Sequence, residues 1–292
     1  VSPKPQRGRD FAIMLSCLND LGYNAEWRVI NAADYGMSQK RRRVFIVGFL
    51  KDTPISKKLN KIKDEKDWLC SKGVLASVFT VDEQKHGETS SIKIDRTPTL
   101  LSGSFNIDGG PSPFSNTGIL KDGNVFTLRT HPIDCKEKTL SSIILDEDQI
   151  DNEFYIAGSK KYDKPIIKPQ IGKDPIVIKT VLDMWKYLKG AKKEERINKI
   201  KKFKYIYAEG SMAFPDDLNN PSRTIITGEG GLSPSRFKHV IKVSRNKFRR
   251  LTPIELERLN MFPDNHTKHQ EVSNAKRAFF MGNALVVGVV ER

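Results

Sequence analysis

An arginine-rich loop stands directly before an apolar stretch in this sequence. Residues 32–43 read AADYGMSQKRRR, and VFIVG follows at residues 44–48. A guanidinium group at the start of a buried strand needs an anionic or hydrogen-bonding partner, because a bare buried cation is costly. Arginine also suits forked recognition of a phosphate or a base edge. The loop therefore predicts a nucleic-acid contact beside a core strand.

The charge balance also favours an acidic polymer as partner. Fifty Lys and Arg residues face 35 Asp and Glu residues in 292, which gives a net charge of +15. Ribosomal proteins and proteins that bind membrane surfaces also carry a high positive charge, so the net charge narrows the possible classes of protein without selecting one. No apolar run approaches the roughly 20 residues of a membrane span, and no secretory signal is visible. Three cysteines without metal-type spacing predict a reducing, intracellular setting and no metal site.

The first fifty residues predict one helix and two strands. Apolar residues recur at helical spacing over residues 8–21, and Gly22 suits the end of that helix. Residues 26–31 and 44–50 predict strands, of which the second is the more deeply buried. Cys17 lies near the apolar stripe and is predicted to be a core thiol. This order fits the closing edge of an α/β sheet, where ligands collect at strand ends.

The middle of the chain has a different composition. Residues 83–243 are rich in Gly, Pro, Ser, Thr and Asn, with short β-branched runs. This predicts an irregular β-containing domain with long loops, interrupted by a helical patch over residues 178–188. The basic run 192–204 is interpreted as a helix face that contacts phosphates.

Regular structure is predicted again near the C-terminal end. Thr252 suits an N-cap, Pro253 suits the first helical turn, and Glu255 completes a capping box. This helix is predicted to end at Phe262. Residues 284–290 would form a helix that is apolar on nearly every face, so they are expected to pack inside the protein.

Three segments resemble motifs of the DNA (cytosine-5) methyltransferases. Gln39, Arg41 and Arg43 fit the Gln-x-Arg-x-Arg pattern of motif VIII, residues 249–264 resemble motif IX, and residues 282–287 resemble motif X. The three occur in the family's order, with a long variable region between motifs VIII and IX. The chain therefore resembles the C-terminal portion of this family over nearly its whole length.

Other motifs of the family do not occur in the sequence. There is no Gly-rich cofactor loop and no Glu-Asn pair, and none of Cys17, Cys70 and Cys135 follows a proline as the family's nucleophile does. Residues 1–7 resemble the segment after the Glu-Asn motif, and the sequence stops inside an apparent helix. We expect a piece of an enzyme, truncated or supplied as one part of a split enzyme, that is inactive alone.

The resemblance implies an α/β fold in two parts. These are the C-terminal part of a Rossmann-like S-adenosylmethionine-dependent methyltransferase domain and a smaller, irregular β-containing target recognition domain. Residues 1–82 are assigned to the catalytic domain and residues 83–245 to target recognition. Residues 246–292 return to the catalytic domain with motifs IX and X.

The resemblance also implies the chemistry. A cysteine thiolate attacks C6 of a flipped cytosine, and S-adenosylmethionine supplies a methyl group to C5. A cationic donor at O2 stabilises the electron density that the ring gains. That donor is expected to be Arg43, with Gln39 completing the motif and Arg41 steadying the same pocket or the nearby backbone. The alternative is a solvated turn that only touches phosphates.

Cofactor and DNA contacts follow from the same resemblance. Asn283, Ala284 and Leu285 resemble the loop that lines the S-adenosylmethionine pocket, although an ordinary Gly-Asn turn is the alternative. Because the main cofactor motifs are missing, we expect no measurable cofactor affinity from this chain alone. Loop residues of types that suit base edges and phosphates are the DNA candidates, with a solvated Gly/Ser loop as their alternative. These candidates are Arg223, Thr224, Ser235 and Arg236, with residues 95–100 as a second loop.

Motif IX has an organising role in this interpretation. Arg249 and Arg258 either tie loops together through hydrogen bonds or contact the DNA backbone. The implied function is a bacterial restriction-modification methyltransferase that acts on double-stranded DNA in the cytoplasm, associated with the nucleoid, without a membrane or metal partner. An N-terminal half or subunit would carry the catalytic cysteine. The alternatives are a non-catalytic DNA-binding specificity subunit beside such a partner, and a degenerate non-catalytic relative.

Overall fold

A computed structural model describes residues 4–94, 97–133 and 135–292. The predictions that rest on residues 1–3 and on the Asp95-Arg96 pair lie outside this part of the chain. Within it, no helix combines the length and hydrophobicity that crossing a membrane requires. The chain divides into a first unit, residues 1–35 and 42–136, and a second unit, residues 36–41 and 137–292.

The strands and helices alternate irregularly along the chain. The strands are β1 Tyr23–Asn31, β2 Gln39–Lys40, β3 Arg42–Leu50, β4 Val81–Lys93, β5 Thr117–Lys121, β6 Asn124–Pro132, β7 Lys161–Gln170, β8 Lys173–Thr180, β9 Lys192–Ile197, β10 Lys204–Glu209, β11 Ser222–Arg223, β12 Val240–Ser244 and β13 Lys247–Arg250. The α-helices are α1 Arg9–Asp20, α2 Pro54–Asn60, α3 Glu65–Asp67, α4 Val74–Val78, α5 Pro98–Ser104, α6 Val181–Lys189, α7 Pro253–Leu259, α8 Asn274–Asn283 and α9 Val287–Val290. Single turns of other helix types occupy Lys4–Gln6, Ala32–Tyr35, Trp68–Lys72, Leu140–Ile143, Glu147–Gln149 and Asn152–Phe154.

The first unit is built on a five-stranded antiparallel sheet in the order β3-β1-β5-β6-β4. Helix α1 covers one face, where Leu15 and Trp27 belong to one buried apolar cluster. Gly118 of β5 lies under that indole, because a Cβ there would stand 2.2 Å from the ring. The opposite face packs on Leu59 and Trp68. The mixed α/β architecture expected from the sequence is therefore present.

Two details of the first unit correct the sequence predictions. Strand β1 is almost wholly buried, whereas β3 is largely half-buried or exposed, so the order of burial is the reverse of the prediction. The reason is that β3 is the outermost strand of the sheet. Cys17 is exposed and is not a core thiol, because Ala12, Leu15 and Ser16 form the buried face of α1. The predicted left-handed end at Gly22 is confirmed by a φ of 81°.

The second unit contains strand pairs around a helical core. Strands β2 and β11 pair in parallel, and β7–β8, β9–β10 and β12–β13 form antiparallel pairs. An apolar cluster includes Ile225, Ile241, Leu256, Leu259 and Met281. This cluster joins the segment after β11 to α7 and α8.

Helix α7 begins as predicted and ends early. Thr252 and Glu255 form both hydrogen bonds of the capping box. The helix ends at Leu259 and not at Phe262, because Asn260 departs from helical geometry and Met261 is left-handed with a φ of 63°.

Two other predicted elements differ from the structure. The basic run 192–204 is not a helix face: it forms β9, a turn and β10, in which Lys192–Ile197 pairs with Lys204–Glu209. Only residues 287–290 of the final stretch are helical. That stretch is not buried all round, since Leu285 and Val290 are exposed while Val286 and Val289 are buried.

Candidate functional site

Gln39 connects three parts of the second unit through one buried side chain. Its Nε2 donates to Asn260 Oδ1 at 2.9 Å and to the carbonyl of Leu259 at 3.2 Å. Its Oε1 accepts from the amide of Ile225 at 3.1 Å. The short parallel pairing of β2 with β11 brings Gln39 to this position. Gln39 therefore holds the arginine loop against the end of α7 and the segment after β11.

Arg41 is buried beside it, with 3% of its surface exposed. Its Nη1 donates to the carbonyl of Ile225 at 2.9 Å, and its Nη2 donates to the carbonyl of Gly282 at 3.0 Å. A buried guanidinium is stable only when its donors find acceptors, and two backbone carbonyls serve here. Arg41 therefore steadies the backbone, which is one of the two roles considered from the sequence.

Asn260 completes this arrangement. Its Nδ2 donates to the carbonyl of Met281 at 2.9 Å, and its own carbonyl accepts from the amide of Val287 at 2.9 Å. We call Gln39, Arg41, Ile225, Asn260 and Gly282 the motif junction. It fastens the segments that resemble motifs VIII, IX and X to one another within the second unit.

Gly282 shows why a small residue is needed at the junction. A Cβ there would lie 2.4 Å from the carbonyl carbon of Ile226 and 2.4 Å from the amide nitrogen of Thr227. Both atoms belong to the backbone, so they cannot move aside as a flexible side chain can. The glycine of this motif is therefore required for close packing.

Arg43 has a different environment. It belongs to the first unit, lies opposite Ile30 in the β1–β3 pairing, and is half-buried. Its Nη1 donates to the carbonyl of Arg42 at 2.8 Å. Within the described residues no other partner of this guanidinium is found, so most of its donors remain available to a ligand.

A polar cavity of 330 Å³ lies at the strand ends of the first unit. Arg42, Arg129 and His131 line it together with Asn31. The Oδ1 of Asn31 is buried and, among the residues that the structure describes, has no hydrogen-bond partner. The guanidinium groups of Arg28, Arg42 and Arg129 outnumber the one carboxylate in its lining, that of Asp34, and this excess of positive charge suits an anionic ligand. Arg129 and His131 belong to no motif of the sequence, and only the folding of β6 into the same sheet as β3 brings them beside Arg42.

A buried ionic network lies behind the predicted DNA-binding segment. Arg223 Nε donates to Asp216 Oδ1 at 2.8 Å, and Lys189 Nζ lies 3.6 Å from Asp216 Oδ2. Burial raises the pKa of Asp216, but His239, Arg223 and Lys189 lower it by more, so the net pKa is below the ordinary value. Burial also lowers the pKa of Lys189 to about 8, against the opposing effect of Asp216. The network fixes the backbone around β11.

His239 belongs to the same network and is fully buried. Its Nδ1 lies 3.0 Å from Glu229 Oε2, and its Nε2 lies 2.9 Å from Ser222 Oγ. Serine, histidine and glutamate in this order are also the parts of a hydrolytic triad. Ser222, however, is only 3% exposed and Glu229 only 5%, so a substrate has no access to them. The group is therefore a structural support.

Arg249 forms a buried ion pair. Its Nη1 and Nη2 donate to Glu255 Oε2 and Oε1 at 2.8 and 2.7 Å, and its side chain is 1% exposed. Glu255 also accepts from the amides of Thr252 and Leu145. This placement favours the alternative that Arg249 ties loops together over direct contact with DNA.

Residues 3–292 match the family described as C-5 cytosine-specific DNA methylase. The chain belongs to that family. The matched range includes every residue of the motif junction.

Individual methyltransferases are also similar to the chain. It is 39% identical to the type II methyltransferase M.Sau3AI of Staphylococcus aureus over 292 residues, 100% of the chain and 62% of that protein. It is 31% identical to the type II methyltransferase M.NgoBI of Neisseria gonorrhoeae over 122 residues, 41% of the chain and 38% of that protein. It thus spans about three fifths of the length of the first relative and less of the second.

The other predicted methylase site residues lie on partly exposed segments. The hydroxyl of Thr224 donates to the carbonyl of Lys40 at 2.6 Å. Arg236 donates to the carbonyl of Gly210 at 2.7 Å, and Ser235 accepts from the amide of Phe237 at 3.3 Å. These bonds organise the loop that follows β11.

The residues expected to contact the methyl donor sit at the end of α8. Asn283 is exposed and its Nδ2 donates to the carbonyl of Phe279 at 3.3 Å. Ala284 is half-buried and Leu285 is 44% exposed. A small residue beside an exposed amide and an apolar side chain fits one wall of a cofactor pocket. These three residues bring no charged group to hold the methionine end of the cofactor.

The three cysteines differ in their exposure to solvent. Cys17 and Cys135 are exposed, and Cys70 is buried. Burial raises the pKa of the Cys70 thiol, which reduces its thiolate fraction and its reactivity.

In the described part of the chain, no cluster of three or more His, Cys, Asp or Glu side chains is arranged to hold a metal ion.

Proposed function

We propose that this chain is the C-terminal part of a type II DNA (cytosine-5) methyltransferase of a bacterial restriction-modification system. The observation that carries the proposal is the motif junction, in which Gln39 and Arg41 lock the arginine loop to motifs IX and X through buried hydrogen bonds. Family membership and the similarity to a type II methyltransferase along the whole chain support it. The substrate is a cytosine flipped out of double-stranded DNA, and the protein works in the cytoplasm close to the nucleoid.

Arg43 is the residue that we propose to act on the base. Its guanidinium is half-buried and donates only to the neighbouring carbonyl among the described residues, so it retains donors for the cytosine O2. A preorganised cation at that oxygen stabilises the charge that develops when a thiolate adds to C6. S-adenosylmethionine, when bound, supplies the methyl group for C5. Asn283, Ala284 and Leu285 form one wall of its site.

We propose that the nucleophile and most of the cofactor site come from an N-terminal part or a partner subunit. The chain covers 62% of the length of M.Sau3AI, which leaves room for such a part. Strand β3 is the outermost strand of the described sheet, and its Val44 and Leu50 are 47% and 46% exposed. An outer strand offers unpaired backbone groups to another strand.

We further propose that residues 83–245 carry target recognition, between a catalytic part at residues 1–82 and the returning motifs at 246–292. Arg223, Thr224, Ser235 and Arg236 are the proposed DNA contacts. The ion pair of Arg223 with the buried Asp216 supports this role, because it holds the backbone at β11 and the loop that follows it in one conformation.

Methyl transfer by a reconstituted enzyme tests the proposal. The chain is mixed with a separately expressed N-terminal part of a relative, and incorporation of labelled methyl groups into DNA is measured. Arg43→Ala should lower kcat by about 100-fold or more with little change in DNA affinity, as removal of a transition-state donor does. Arg42→Ala is the matched control, since it removes the same charge from the adjacent position. Equal losses of binding and of kcat in both variants would indicate phosphate contact only, and DNA binding without any methyl transfer would favour a specificity subunit.

A further inference from the structure

The hairpin formed by β9 and β10 ends in a tightly ordered turn. We call residues 198–203 the hairpin tip. The side-chain Oδ1 of Asn198 accepts from the amides of Ile200 and Lys201 at 3.0 and 2.8 Å. The amide of Asn198 donates to the carbonyl of Phe203 at 2.9 Å, and the amide of Lys202 donates to the carbonyl of Asn198 at 2.8 Å. The tip therefore has one defined shape.

This shape exposes large apolar side chains to water. Ile200 is 90% exposed, and Phe203 and Ile206 are 50% and 62% exposed. Single exposed apolar residues are ordinary on protein surfaces. An almost fully exposed isoleucine at the end of an ordered turn, with a half-exposed phenylalanine three residues further on, is a projecting apolar wedge.

Positive charge surrounds the wedge. Residues 198–204 include Lys199, Lys201, Lys202 and Lys204 and no acidic residue. All four lysines are exposed. Only Lys204 has an ion-pair partner among the described residues, Glu195 at 2.9 Å. The other three ammonium groups flank Ile200 on both sides along the chain.

The base of the hairpin is firmly attached. Lys192 Nζ lies 2.8 Å from Glu209 Oε2 and donates to the carbonyl of Leu188 at 2.9 Å. The guanidinium of Arg196 stacks on the ring of Tyr207 at 3.5 Å. These contacts hold the base of the hairpin in place within the second unit.

We propose that the hairpin tip binds duplex DNA, with Ile200 inserted against a base step and the lysines on the flanking phosphates. This inference rests on the proposed function; it keeps the phosphate contact predicted for the run 192–204 and adds the insertion of Ile200 into the duplex. Charge complementarity favours DNA as the ligand, because a net charge of +15 and clustered ammonium groups attract a polyanion. Apolar wedges that partly unstack base steps are a known way in which proteins hold bent DNA.

Binding of the full 292-residue chain to a labelled duplex tests the inference. The duplex carries 2-aminopurine at successive steps, so that fluorescence reports unstacking and anisotropy reports affinity. Ile200→Ala should weaken binding by about 50-fold and reduce the 2-aminopurine signal, because about three methylene equivalents lose their contact. The matched control is Ile167→Ala, which removes the same side chain from a 62% exposed position in β7 and should leave both signals unchanged.

A triple variant separates the charge from the wedge. Replacing Lys199, Lys201 and Lys202 with glutamine should lower the slope of log affinity against log salt by about 2.7, at 0.9 for each phosphate. Ile200→Ala should leave that slope unchanged. Thermal unfolding of every variant confirms that the fold is intact.

Several results would overturn the inference. Ile200→Ala could bind the duplex with the affinity and fluorescence of the wild type, or Ile167→Ala could lose as much affinity as Ile200→Ala. The wild-type chain could also fail to bind the duplex. Self-association that Ile200→Lys abolishes would reassign the tip to a second copy of the chain. None of these results decides the proposed function, because the effect of Arg43→Ala on methyl transfer is measured separately.

Discussion

Replacing Arg41 with alanine removes the charged side chain of the motif junction. The guanidinium is 3% exposed and donates to the carbonyls of Ile225 and Gly282 at 2.9 and 3.0 Å. Each buried carbonyl that loses its donor costs about 1–3 kcal/mol, so the two together cost about 2–6 kcal/mol. Removal of a desolvated charge offsets part of this cost. We expect the free energy of unfolding of the second unit to fall by about 3 kcal/mol.

Urea unfolding followed by circular dichroism measures this loss, and hydrogen exchange localises it. Because the chain has two units, a single transition is not assumed. Faster exchange is expected at the amides of Ile225, which donates to Gln39, and Val287, which donates to Asn260. These amides report directly on the junction.

Arg43→Ala is the matched control for this prediction. It removes the same group two residues further on, where the guanidinium is half-buried and donates to its own neighbour. Its effect on unfolding should be about 0.5 kcal/mol or less, as for substitutions that break no buried network. The reasoning fails if Arg41→Ala unfolds within 0.5 kcal/mol of the wild type, or if both variants lose the same stability.

Two further substitutions test packing and charge. Gly282→Ala should destabilise by about 1–3 kcal/mol, because the new Cβ meets backbone of Ile226 at 2.4 Å. Thermal unfolding measures this effect. The control is Gly103→Ala, because a Cβ at that helical position would have no atom within 4 Å. This variant should be more stable than the wild type by about 0.5–1 kcal/mol. Asp216→Asn should cost about 3–5 kcal/mol at pH 7, because Lys189 and Arg223 both lose the carboxylate that pairs with them. The pKa of Asp216 is lower in the folded than in the unfolded state, so its carboxylate contributes fully to the free energy of unfolding above the unfolded pKa of about 3.9. This contribution is lost as the pH falls through the folded pKa. The urea midpoints of wild type and variant should therefore converge in acid.

Local signals in the sequence predicted local structure well. The capping box at Thr252 and Glu255 is present because both partners lie within one helical turn. The left-handed Gly22 is also confirmed, since its conformation depends on its own backbone freedom. The order of the three motifs identified the family, which the match over residues 3–292 confirms.

Burial was predicted less well, because it depends on what lies on each side of an element. The apolar run in β3 predicted a deeply buried strand, but β3 is the outermost strand of the described sheet. The lysine-rich run 192–204 has no strong period, and only its pairing as β9 and β10 makes it a hairpin.

The sequence by itself determined the family and the start of α7, since these depend on residue type and on spacing along the chain. Only the tertiary structure decided that Arg41 is buried while Arg43 retains donors for a ligand. It also decided that His239 and Asp216 form a buried network. The physical reason is that a buried polar side chain is stable only with its partners, and those partners come from segments up to 241 residues away, as for Arg41 and Gly282.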